Sequence, residues 1–123
     1  MSEAAISHAS SLVVSQAHTA AVMGSGDLPV LATPALVALM ENAAMVAARD
    51  LLADGETTVG SSIDVKHLAP SPVGATVVAE ATLQERDDRC LRFNIKAMQD
   101  NKLIGEAVHV RYIVNSLRFM AKI

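Results

Sequence analysis

Cysteine, aromatic rings and runs of basic charge are almost missing from this chain. One of its 123 residues is cysteine, Cys90, none is tryptophan, and only Phe93, Tyr112 and Phe119 are aromatic. A single cysteine excludes an intrachain disulfide and a closed cysteine-based zinc site within one chain, and it points to a reducing compartment, taken here as the cytoplasm. Three rings are too few for a surface on which bases stack. The net charge is −3 and the basic residues form no run, so nothing marks a nucleic-acid partner. Met1–Ser2–Glu3 is not a basic segment leading into an apolar one, and no secretory signal is expected. Leu28–Ala48 is the stretch most like a membrane span, but it contains Pro29, Pro34 and the polar pair Glu41–Asn42. A carboxylate in hydrocarbon is costly, so a core helix is expected rather than a span.

The chain does have abundant apolar residues, 51% of the total, and 19% charged residues of mixed sign. That balance fits one globular domain over 1–123. Residues 1–11 read as a frayed terminus, Leu12–Ala20 as a strand and Gly24–Asp27 as a loop. Thr33–Pro34 is a helix-start signature. The run Ala35–Leu52 then predicts a helix of about five turns, stopped near Gly55. It is apolar nearly all round, as an enclosed helix is.

Beyond Gly55 the period falls from 3.6 to 2. Strands are predicted over Thr57–Leu68, Ala75–Glu85, Arg89–Met98 and Lys102–Val114, separated by turns at Pro70–Gly74, Arg86–Asp88 and Asp100–Asn101. The alternation places Val59, Ser61, Ile63, Val65 and His67 on one face of the first of these. Val77, Ala79, Ala81 and Leu83 share a face of the second, and Leu91, Phe93, Ile95 and Ala97 a face of the third. Val108, Val110, Tyr112 and Val114 line one side of the last, which leaves His109 in solvent. Short turns favour antiparallel neighbours, and one long helix against one antiparallel sheet is an α+β arrangement.

Three residues are candidates for chemistry. Glu41 is the only charged residue between Pro34 and Ala48. It is either a functional carboxylate in a buried helix or part of a narrow solvated stripe with Asn42. His67 falls on the face turned to the helix, where a histidine is either structural or catalytic. Thr33 either caps the helix or offers a hydroxyl where backbone N–H groups favour negative charge. Thr33 and Glu41 lie eight residues apart, about 12 Å along a continuous helix. For both to serve one site, the chain near Thr33 must fold back or two subunits must share the site. Dinucleotide, phosphate-loop, nucleophile-elbow and zinc-protease motifs are absent. Lys66, Arg118 and Lys122 are open between contacts to an anionic ligand and ordinary solvated surface.

The segment Ala32–Thr33–Pro34, Leu39–Met40–Glu41, Val59–Gly60–Ser61, Val65–Lys66–His67 and Pro72–Val73–Gly74 resembles the fluoroacetyl-CoA thioesterase-like branch of the hotdog-fold thioesterases. The resemblance runs from Pro29 to Gly74 and continues more weakly to Lys122. It implies an antiparallel sheet wrapped around one long helix, a homodimer with the option of a tetramer, and an acyl-CoA substrate bound at the dimer interface. No cofactor is implied other than coenzyme A as part of the substrate. Thr33, Glu41 and His67 become the catalytic set, with Glu41 as base or nucleophile, His67 as orienting group and proton donor, and Thr33 as hydrogen-bond partner or nucleophile. Gly60 and Asn42 fall at the acyl group. The fluoroacetate-specific relative has an aromatic lid before the Thr, and those positions are Gly24 and Asp27 here. An open aliphatic acyl site and a broader substrate range are therefore expected. Two other functions on the same fold are a non-catalytic acyl-CoA or small-ligand binding module and, more remotely, a hydratase.

Overall fold

The structure, a computed structural model, describes residues 6–123. Strand β1 (Ser7–Val13) leads through a 3-10 turn (Gln16–His18) and a short helix α1 (Ala20–Met23) to the long helix α2 (Thr33–Ala48). Four strands follow: β2 (Glu56–His67), β3 (Thr76–Asp87), β4 (Cys90–Gln99) and β5 (Lys102–Asn115). A short helix α3 (Ser116–Ala121) ends the chain. All strands pair antiparallel in the order β1-β3-β4-β5-β2. The sheet curls around α2, which is the hotdog arrangement.

The inner faces of β3 and β4 follow the alternation in the sequence. Val77, Ala79, Ala81 and Leu83, then Leu91, Phe93, Ile95 and Ala97, are all buried. They pack with Leu36, Leu39, Met40, Ala43 and Ala44 of α2, and each large side chain fully buried there contributes about 1.5–3 kcal/mol. Gly105 lets β5 approach the helix: a Cβ there would come within 2.9 Å of Leu36 Cδ2 and 3.2 Å of Met40 Cε.

Residues 7–11 are not frayed but form most of β1, which pairs with β3 from Ser7↔Thr82 to Val13↔Thr76; residues 1–5 of the expected frayed terminus lie outside the described residues. The expected strand Leu12–Ala20 ends at Val13, because the chain turns into the 3-10 segment and α1. The helix stops at Ala48 and continues only as a 3-10 turn over Arg49–Leu51. It is also not fully enclosed: Pro34, Ala38 and Asn42 are exposed and Val37, Glu41 and Met45 half-buried. β2 and β3 are not neighbours. Their connection crosses the helix start, held by Leu31 N–H donating to Ser71 O and Gly74 N–H to Val14 O.

Two face assignments also change. A register shift between Gly60 and Ser62 switches the parity of β2. Thr58 and Gly60 therefore face inward before the shift, and Ile63, Val65 and His67 after it, while Val59 and Ser61 do not join them. On β5 the inner row is Ala107, His109, Arg111 and Ile113, and Val108 and Tyr112 are the exposed ones. The valines repeat on the outer face, and the inner face carries the two polar side chains His109 and Arg111.

Candidate active site

Thr33 begins α2, but its hydroxyl does not cap the helix. Ala32 is the N-cap residue and no side chain caps the end; Pro34 removes one of the N–H groups that would need a partner. The Thr33 Oγ1 instead lies 2.8 Å from His67 Nδ1, so the last residue of β2 and the first of α2 form a hydroxyl–imidazole pair. His67 Nε2 is buried without a partner among the described residues. The pair borders a cavity of about 310 Å³ lined also by Val30, Leu31, Leu68 and Ala69.

Glu41 lies two turns further along α2, above a second cluster that the sequence did not reveal. His109 is not solvated: it is 1% exposed, and its Nδ1–H donates to Ser62 O at 2.7 Å. That bond fixes the tautomer, leaving Nε2 to accept from Arg111 Nη1 at 3.2 Å. Arg111 is buried as well and donates from Nε to Thr58 Oγ1 (2.8 Å) and from Nη2 to Thr58 O (3.1 Å). The same Nη1 is 3.9 Å from Glu41 Oε2. Three fixed acceptors therefore aim one guanidinium at a carboxylate whose side chain is 42% exposed. The sequence signal for this cluster was a His and an Arg at i and i+2, which must share a strand face. The valine stripe on the other face outweighed it.

Gly60 belongs to this cluster. A Cβ there would sit 2.9 Å from Glu41 Oε2, 3.2 Å from Arg111 Nη1 and 3.2 Å from His109 Cε1. Arg111 and His109 are held by three and two partners, so the carboxylate is what must move. Gly60→Ala is expected to fold normally and to lose about 10²-fold in kcat, the scale that goes with a displacement of about 1 Å. Steady-state kinetics with a melting curve check this. Asn42, exposed on the other flank of α2, accepts from Ser10 Oγ at 2.7 Å through Oδ1.

Within one chain the structure unites Thr33 with His67, and Glu41 with Gly60, His109 and Arg111. The two groups remain about 12 Å apart along the helix. Lys66, Arg118 and Lys122 are exposed. Among the described residues no group of three or more His, Cys, Asp or Glu is placed to hold a metal ion. No helix among them is long and apolar enough to cross a membrane.

Burial holds both inner histidines below the usual value of 6.5. For His67 desolvation dominates and the Ala69 backbone opposes it. For His109 desolvation again dominates, opposed first by the Ser62 carbonyl, then reinforced by the Arg111 charge and opposed by Glu41. An unfolded histidine binds its proton near 6.5, and these two take it only at lower pH. The unfolded state therefore binds more protons in that window, so stability rises with pH through it and is complete above 6.5. The melting temperature is expected to fall as pH drops from about 7.5 to about 5.5. Thermal scans across that range check the sign, with a shallower slope for His109→Gln.

The family model described as fluoroacetyl-CoA-specific thioesterase matches residues 14–117. A fluoroacetyl-CoA thioesterase of Streptantibioticus cattleyicolor is 35% identical over 94 residues, covering 76% of this chain and 68% of that protein. A crystal structure of a fluoroacetyl-CoA-specific thioesterase variant with fluoroacetate and CoA superposes with a TM-score of 0.86 at 30% identity, covering 93% of this chain and 94% of that one. A thioesterase superfamily member from Thermus thermophilus shares the fold, with a TM-score of 0.88 at 24% identity, covering 94% of this chain and 86% of the other.

Proposed function

The chain belongs to the fluoroacetyl-CoA-specific thioesterase family and is an acyl-CoA thioester hydrolase; on that premise we propose that its active site joins Thr33 and His67 of one subunit to Glu41 of a second. The observation that carries this reading is the separation of the two groups. Each is locally complete, each reaches an open surface, and one chain does not bring them together. β2 supplies a 12-residue edge strand, and the exposed face of α2 presents Pro34, Ala38 and Asn42 around half-buried Glu41. A two-fold copy pairing along β2 covers that face and is self-complementary by symmetry. The homodimer is the minimum assembly, and residues 1–123 act in it as one domain in the cytoplasm, where Cys90 stays reduced.

In the proposed reaction the Glu41 carboxylate takes a proton from water while the water oxygen attacks the thioester carbonyl. Arg111 keeps the carboxylate aimed, and Gly60 leaves room for it. The tetrahedral intermediate collapses with loss of the coenzyme A thiolate, and the proton returns from Glu41 to the sulfur, so water and thioester give acid and thiol. The Thr33 hydroxyl, oriented by His67, hydrogen-bonds the carbonyl oxygen as its charge develops. Asn42 lies beside the acyl group. No group beyond water and the thioester is required. Continuous detection of free thiol with a panel of acyl-CoAs tests the proposal. Turnover supports it, whereas a ligand-induced rise in melting temperature without thiol release would instead identify a binding module.

A further inference from the structure

A groove between β1 and α2 is not used by the chemistry above. Its volume is about 320 Å³, and its walls are Leu12, Ala17, Met23, Ala35, Ala38 and Leu39. The one polar side chain in the lining, His18, has its Nδ1 occupied by the Ser15 N–H and lies 3.0 Å from the Ser15 hydroxyl. No charged side chain lines it. At one end the character changes. Ser10, two residues before Leu12 on the same face of β1, donates to Asn42 Oδ1, and Asn42 stands one turn beyond Ala38 and next to Glu41. That bond turns the Asn42 NH₂ group outward as a donor. The groove is thus polar at its Asn42 end and aliphatic away from it, and Ala38 in its wall stands three residues before Glu41 on the helix, which makes the two helix-surface neighbours.

We propose that this groove receives the acyl chain, and that the preferred substrates are straight-chain aliphatic acyl-CoAs of medium length. This rests on the hydrolase reading above and adds the substrate class. At roughly 30 Å³ for a group the size of a water molecule, the groove holds a chain of about six to ten carbons. The absence of charge in the lining disfavours carboxylated acyl groups, whose buried charge would have no partner. Gly24 follows Met23 in the left-handed conformation that ends α1, so no ring closes over the groove at that position.

The test is the kcat/KM profile of the wild-type protein over saturated acyl-CoAs from acetyl to palmitoyl. Each methylene buried in the groove is worth about fourfold. Octanoyl-CoA is expected to exceed acetyl-CoA by at least about tenfold, with no further gain beyond about ten carbons. Ala17→Phe and Met23→Trp, which fill the groove at exposed positions away from the α2 face assigned to the partner subunit, are expected to bring the octanoyl-to-acetyl ratio down to about one. A wild-type profile that is flat, or that peaks at acetyl-CoA, overturns the inference and leaves the hydrolase standing. So does a preference for octanoyl-CoA that survives in both variants. Absence of thiol release from every substrate would instead remove the proposed function itself.

Discussion

Glu41→Gln lowers kcat/KM for acyl-CoA hydrolysis by about 10³-fold and leaves the protein folded, within the range seen when a general base is removed. The amide keeps the shape of the carboxylate but cannot take the proton from water. Because the Glu41 side chain is 42% exposed and its Arg111 contact is 3.9 Å, little stability depends on its charge. The loss therefore falls on kcat, with KM nearly unchanged, since binding the thioester does not require a base. Stopped-flow thiol detection resolves residual rates at this level. Activity within tenfold of wild type would remove Glu41 from the chemistry.

Arg111→Met has the second largest effect, and it acts on the fold as well as the reaction. The guanidinium donates to Thr58 Oγ1, Thr58 O and His109 Nε2. Methionine fills much of the same volume and leaves all three acceptors without a donor in a buried place. The cost is about 3 kcal/mol, the scale of breaking a buried hydrogen-bonded charge, or a fall of roughly 10 °C in melting temperature for a domain of this size. Below the new melting temperature, kcat is expected to drop by at least about tenfold, because the Glu41 carboxylate loses the guanidinium 3.9 Å from it. Differential scanning calorimetry separates the two effects. A variant as stable and active as wild type would show that the cluster around Glu41 is incidental.

The strands facing the core were legible because their inner faces are uniformly apolar. β3 and β4 alternate without exception from Val77 to Leu83 and from Leu91 to Ala97, so period and parity agree. β5 was read with inverted parity because its inner face carries polar side chains. Its inner face carries His109 and Arg111, its outer face Val108, Val110, Tyr112 and Val114, and a rule that sends apolar residues inward chooses the wrong side. In β2 the shift at Gly60 exchanges the faces halfway along; a lone glycine inside a strand is the signal for such a shift, and strict alternation carried through it reverses the faces on one side. Thr33 shows the opposite case. Its local chemistry favoured a cap, and only the distant pairing of β2 with β5 brings His67 to its hydroxyl. The exposed stripe on α2 was hidden by its composition, since alanine and valine read as core whether sheet or a second subunit covers them.

In the proposed homodimer a working site draws Thr33 and His67 from one subunit and Glu41 from the other. Thr33→Ala and Glu41→Gln are each inactive alone on this account. Co-expressed and purified as mixed dimers, they place an intact Thr33–His67 pair opposite an intact Glu41 in one of the two sites of each heterodimer. Random pairing makes half of the dimers mixed, so about one quarter of wild-type specific activity is expected to return under two-fold symmetry. Recovery to that level supports the shared site. A mixed preparation that forms dimers yet stays as inactive as either parent would contradict it.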